Sequence, residues 1–222
     1  MGSLTLEKLN SLYWLGRYIE RSYQFMRLYV TAYDHMIDDN DAYYLNICEK
    51  FGIPDTYGSR EEFIRRFAFD REDPNSIITA LTRTFDNAIL MRDEISSGCL
   101  SYIHLALAEM DRASRSDAPV FNIQKVEDYI LAFWGALDDE VDDEYSRNTV
   151  KVGKRMERLD IYVRLERPRT ELRREAMRLQ GRIEKSIVPV SKAALMHVLA
   201  DIEDENVDYK GLLRKLPELI RL

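Results

Sequence analysis

The sequence predicts an all-α protein, a single multi-helix bundle spanning residues 1–222. Three observations predict it. Apolar residues recur at intervals of three and four, sustained two-residue alternation is absent, and Gly, Pro, Asp and Ser fall where helices would start and stop. With 222 residues, 45% of them hydrophobic, the chain can bury one sizeable core.

The first helix is expected from Thr5, a cap residue, through Leu9, Leu12, Trp14, Ile19, Phe25, Val30 and Met36, ending in the polar run at 38–41. Residues 43–51 continue it after a kink, and Gly52-Ile53-Pro54 breaks the pattern. Ser59 and Glu62 have capping-box spacing, which opens a short helix through Phe69. Asp73-Pro74 reads as the start of the next helix, because Asp accepts helix-end N–H groups and Pro has none to leave unpaired. That helix is expected to reach Ile95, with a turn at Ser96-Ser97-Gly98, another helix over 100–113 and a loop over 114–119. Asn122 is placed to cap a long helical stretch over 123–165 with a bend at 146–148, which Pro168 ends or restarts. Short helices then cover 169–183, 190–199 and 209–219, the last two limited by Pro189 and Pro217.

A net charge of −7 disfavours nonspecific binding to nucleic acid or to an anionic membrane, both of which need a basic field. Cys48 and Cys99 lack CxxC spacing, so a reducing cytoplasm fits and no thiolate metal site is indicated. The N-terminal 14 residues lack a basic-then-apolar signal pattern, and no apolar run has membrane-spanning length.

One motif occurs twice. Leu15-Gly16-Arg17-Tyr18-Ile19-Glu20-Arg21 is followed by Arg27-Leu28, and Val152-Gly153-Lys154-Arg155-Met156-Glu157-Arg158 by Arg164-Leu165. At about 100° per residue, Gly16, Glu20 and Arg27 share one helical stripe, as do Gly153, Glu157 and Arg164; Arg17, Arg21, Lys154 and Arg158 fill adjoining stripes. A mid-helix Gly costs about 1 kcal/mol relative to Ala, so its recurrence points to close helix approach. The expectation is a crossing of Gly16 on Gly153, with Glu20 and Glu157 paired to Arg residues of the opposite helix. Two readings follow: buried ions that fix helix register, or a Glu/Arg pocket of Arg17, Glu20, Arg21, Arg27, Lys154, Glu157, Arg158 and Arg164 for a small anionic substrate.

Three blocks resemble the bacterial alpha-E domain family: residues 12–21, the block around Glu72-Asp73-Pro74-Asn75-Ser76-Ile77 with Asp86-Asn87-Ala88 and Met91-Arg92-Asp93-Glu94, and residues 153–165. The chain departs from that pattern at Ile89, where a further Arg is expected, and in lacking an aromatic-rich approach to Gly153. The resemblance implies an all-helical protein without an established activity, associated with circularly permuted ATP-grasp ligases and transglutaminase-like proteins. Its expected role is that of an accessory or adaptor in an amide-forming or peptide-modifying system, docking on such a ligase or on a second copy of itself.

The acidic run Asp138-Asp139-Glu140-Val141-Asp142-Asp143-Glu144 contains Asp-Asp-x-x-Asp, the string by which helical isoprenoid synthases hold Mg²⁺ and diphosphate. A Mg-dependent diphosphate enzyme is therefore a third reading, although six carboxylates distributed around a helix are the pattern of a solvated face. His35, His104 and His197 lack metal-ligand spacing, and no phosphate-binding Gly-rich loop occurs, so neither metal nor cofactor is expected. Tyr13, Trp14, Phe133 and Trp134 read as core or interface filling.

Overall fold

The computed structural model describes residues 4–222; residues 1–3, part of the stretch read above for a signal, lie outside the described residues. The described residues form helices and turns, with no β-strand among them. The chain divides into two compact units, one made of the residues up to Arg17 with Val141–Leu222, the other of Tyr18–Glu140. Helix α1 (Leu6–Asp38) contributes residues to both. Thr5 starts it as expected, its hydroxyl accepting from the Lys8 N–H at 3.3 Å.

In the Tyr18–Glu140 unit, α2 (Tyr44–Phe51) ends on Gly52, whose φ of 64° is a left-handed stop that favours glycine. Helix α3 (Arg60–Phe69) opens on the Ser59 cap, which accepts from Glu62 N–H at 3.2 Å. Phe63 and Phe67 stack at 4.8 Å between centroids, and Tyr44 stacks on Phe63 at 5.0 Å. The Tyr57 hydroxyl donates to Asp73 at 2.8 Å.

Several boundaries differ from expectation. Asp73 does not start a helix: its side chain holds the Pro74 turn by accepting from Asn75 N–H at 2.8 Å, and α4 (Ile77–Leu90) is capped by Ser76. This helix stops at Leu90 instead of Ile95, because the ladder tightens into three-residue turns, with Glu94 N–H on Met91 O at 2.9 Å. The Ser96 hydroxyl then caps α5 (Ser97–Ser114), so Ser97 and Gly98 lie in its first turn. Asn122 caps nothing: it ends the short α6 (Pro119–Asn122), and its amide donates to Ser116 at 2.9 Å. Helix α7 (Gln124–Glu140) packs on α5.

In the other unit, the expected bend at 146–148 is absent; the chain instead leaves the helical path at residues 141–143, and Asp143 caps α8 (Glu144–Arg164) by accepting from Ser146 N–H at 2.7 Å. Pro168 restarts the chain as α9 (Arg169–Ile183), with the expected bounds. Helix α10 (Lys192–Glu203) begins on a Ser191 cap and runs past residue 199. Helix α11 (Tyr209–Lys215) gives way at Pro217 to a 3₁₀ turn, Leu216–Glu218, where the missing N–H of Pro ends the α ladder. Tyr13, Val152, Met156, Leu159, Val163, Leu172, Leu179, Val198, Leu212 and Leu219 form this unit's apolar core.

Helices α8 and α9 are antiparallel. As residue numbers fall along α8 they rise along α9, with Arg155 on Glu175 and Asn148 on Arg182.

Candidate functional site

The doubled motif meets at its glycines. A Cβ on Gly16 would overlap the Val150 carbonyl oxygen and sit 2.8 Å from its carbon; one on Gly153 would overlap the Tyr13 oxygen and sit 3.0 Å from Arg17 N. Each glycine therefore rests on the carbonyl three residues before the other, a reciprocal contact that only hydrogen at the α-carbon admits. The neighbours are backbone atoms, which cannot rotate aside.

One turn from this crossing, Arg17 Nε donates to Glu157 Oε2 at 2.6 Å. Glu157 is fully buried, and the Arg17 side chain is 15% exposed. The guanidinium lies 5.0 Å from the Trp14 ring centroid and 5.8 Å from that of Tyr13, while its NH1 donates to the Tyr13 hydroxyl at 3.5 Å. Burial opposes the Arg17 charge, but Glu157 outweighs it and holds the guanidinium above its usual range. Burial also raises the Tyr13 phenol, against the pull of Arg17. Trp14 and Tyr13 thus act as filling and as the sheath of an ion.

The other candidates differ in their surroundings. Arg164 turns to its own helix and donates to Asp160 Oδ2 at 2.8 Å. Lys154 and Arg158 are half-buried in the same unit. In the Tyr18–Glu140 unit, Glu20 is fully buried and accepts from Gln24 Nε2 at 2.7 Å, and Arg21 is half-buried. Arg27, expected to share a polar stripe with Glu20, is exposed; it lies over Tyr23 at 5.9 Å and acts electrostatically on Glu127.

Another buried carboxylate, on α9, had no counterpart in the sequence reading. Glu175 takes Arg155 NH1 on Oε2 at 2.9 Å and Arg178 NH1 on Oε1 at 2.7 Å, with Arg174 Nε at 3.8 Å. Arg155 stands in the second copy of the motif, yet its partner lies on α9. The readable signal was spacing: Glu175, Arg178 and Arg182 stand at i, i+3 and i+7, across the Pro168 turn from Asn148, Lys151 and Arg155 at the same intervals.

The acidic run does not form a Mg²⁺ motif. It is cut by the break at 141–143, Asp143 is engaged as a cap, and among the described residues no group of three or more His, Cys, Asp or Glu is placed to hold a metal ion. No helix among the described residues is long and apolar enough to cross a membrane.

Fold and site together define an all-helical protein organised in part around a Glu–Arg ion pair beside a glycine crossing. Residues 8–200 match the Alpha-E family, described as a predicted alpha-helical domain with a conserved ER motif, and the chain belongs to that family. The Glu-Arg dipeptides at Glu20-Arg21 and Glu157-Arg158 lie within the match. No curated protein and no solved structure matches the chain.

Proposed function

We propose that this chain is a noncatalytic, cytoplasmic helical accessory protein acting beside an ATP-grasp-type ligase in an amide-forming or peptide-modifying system, with the Gly/Glu/Arg motif as a latch that fixes its helices. The observation that carries the noncatalytic half is the Arg17–Glu157 pair. Glu157 is fully buried, its Oε2 is 2.6 Å from Arg17 Nε, and backbone fills the space beside Gly16 and Gly153. A fully buried carboxylate bonded to the guanidinium of another helix ties the two helices in one register. The ligase half rests on the family resemblance carried by the motif blocks.

The test mixes the purified chain with the ATP-grasp-type ligase encoded nearest to it in its own genome. Light scattering after gel filtration is expected to show a complex, the chain alone to release no phosphate from ATP, and the ligase's amide-forming rate to rise when the chain is present. Turnover by the chain alone, or two separate peaks with an unchanged ligase rate, rejects the reading.

A further inference from the structure

The Tyr18–Glu140 unit holds an open pocket of about 420 Å³ at the C-terminal end of α3, lined by Arg65, Arg66, Phe69, Asp70, Arg71 and Glu72. Ion pairs set its rim. Arg65 places NH2 on both oxygens of Glu62, at 2.9 and 2.8 Å, and Arg71 places NH2 on Asp111 at 2.7 Å. Arg66 donates from Nε to Asp70 at 3.1 Å and from NH1 to the Thr56 carbonyl at 2.8 Å. Asp70 also accepts from the Glu72 N–H at 3.0 Å, and this bond, with the Arg66 guanidinium, holds its carboxyl below the usual range. Asp73 and Ser76 spend their side chains on the Pro74 turn and the α4 cap, whereas Glu72 serves the turn through its backbone and lines the pocket with an exposed side chain.

We propose that this pocket binds a free α-amino acid with an apolar side chain, its carboxylate on Arg65 and Arg71, its ammonium on Glu72 and its side chain on Phe69. The mixed charge of the lining selects a zwitterion. Three guanidiniums and two carboxylates share one rim, so a lone anion meets Asp70 and Glu72 and a lone cation meets the Arg residues, whereas a ligand of both signs pairs with each. Arg71 and Glu72 are chain neighbours, and an amino acid carries its carboxylate and ammonium on one carbon, so adjacent opposite charges face adjacent opposite charges. Donors suffice: a guanidinium has five N–H groups, and the Glu62 and Asp111 pairs engage the NH2 nitrogens, which leaves Nε and NH1 of Arg65 and Arg71 outside those pairs. The same pairs hold both guanidiniums in place before the ligand arrives, which lowers the ordering cost of binding. The negative end of the α3 dipole lies at Phe69, where it favours an ammonium. Phe69 is half-buried and offers apolar surface, and 420 Å³ falls in the lower part of the range of about 300–1,000 Å³ for small-molecule pockets. The pocket shares no residue with the Gly16–Gly153 latch, and binding here does not depend on a ligase partner.

The test uses the whole chain. Isothermal titration calorimetry is run with L-phenylalanine and L-leucine, and with two single-charge probes, 3-phenylpropionate, which lacks the ammonium, and phenethylamine, which lacks the carboxylate. L-Phenylalanine is expected to bind saturably, about tenfold more tightly than either single-charge probe, because each probe forfeits one charge-assisted contact. Glu72→Gln, checked for unchanged far-UV circular dichroism, is expected to weaken L-phenylalanine about tenfold and to leave 3-phenylpropionate within about twofold, since the ammonium contact alone is lost. Arg71→Gln is expected to do the converse, weakening L-phenylalanine about tenfold with phenethylamine within about twofold. The proposal is overturned by the absence of saturable heat with both amino acids, or by a single-charge probe that binds as tightly as L-phenylalanine. A Glu72→Gln variant that weakens 3-phenylpropionate as much as L-phenylalanine overturns it too, because the loss then follows the surface as a whole and not the ammonium.

Discussion

Replacing Gly16 with Ala isolates the glycine crossing, because the structure contains a matched control. At Gly16 the added Cβ overlaps the Val150 carbonyl oxygen and lies 3.1 Å from Lys154 N, whereas at Gly181, inside α9 of the same compact unit, it meets nothing within 4 Å. Both substitutions gain the same helix propensity, about 1 kcal/mol. At Gly181 that gain stands alone, so Gly181→Ala is expected to stabilise by up to about 1 kcal/mol. At Gly16 it is offset by overpacking, typically about 1–3 kcal/mol and here at the upper end because the obstacle is backbone. The difference leaves Gly16→Ala destabilised by about 2 kcal/mol, a fall in melting temperature of roughly 4–8 °C for a chain of this size. Urea titrations followed by far-UV circular dichroism and by tryptophan fluorescence measure both variants, with Trp14 two residues from Gly16 and Trp134 in the Tyr18–Glu140 unit. If Gly16→Ala stabilises as Gly181→Ala does, the helices do not need glycine to meet and the latch reading fails.

Three further outcomes follow from the same geometry. Glu157→Gln leaves the sheathed Arg17 guanidinium facing a neutral amide and is expected to cost about 3 kcal/mol in urea unfolding, and a loss under 1 kcal/mol would mark the pair as dispensable. Ser76→Ala removes the cap of α4 and is expected to cost about 1 kcal/mol, whereas Asp73→Ala is expected to leave α4 intact and to lower the Tyr57 phenol from its raised value, which burial and the Asp73 bond maintain; ultraviolet titration of tyrosine reads the shift, and no shift refutes the bond. The Lys151 amine titrates near 8 in the folded chain and near about 10.4 unfolded, so between these values the unfolded state holds the extra proton and wild-type stability rises with pH relative to Lys151→Gln; urea midpoints compared at about pH 7.5 and about pH 9.5 give the slope, and a constant difference refutes it.

Local chemistry was legible wherever a boundary depends on residues within one turn. Ser59 with Glu62 placed α3, Pro168 placed the start of α9, and Gly52 stopped α2, each through a cap or a φ that the residue type dictates. Where two residues competed for one task, the order of strength misled: Asp73-Pro74 is a better start on paper than Ser76, but Asp73 also accepts from the Tyr57 hydroxyl and closes the Pro74 turn, which leaves Ser76 to cap α4. The break at 141–143 was hidden for a related reason. It has no Gly or Pro, and Asp143 suits a solvated helix face as well as it suits a cap, so only the approach of Ser146 N–H decides its role.

The candidate site divided along the same line. Glycine reports a distance, and Gly16 with Gly153 anticipated a crossing because a missing side chain has few other uses inside a helix. Arginine reports only a demand for anions, and its long stem lets the fold choose the supplier. Arg17 finds Glu157 140 residues away, Arg164 finds Asp160 one turn back, and Arg155, counted with the motif, finds Glu175 on α9. The motif therefore specified where two helices touch more securely than which charges meet there. Glu157 is bonded to a guanidinium that aromatic rings flank, whereas Glu175 bridges Arg155 of α8 and Arg178 of its own helix, so in each case the buried carboxylate ties a pair of elements that the motif alone did not name.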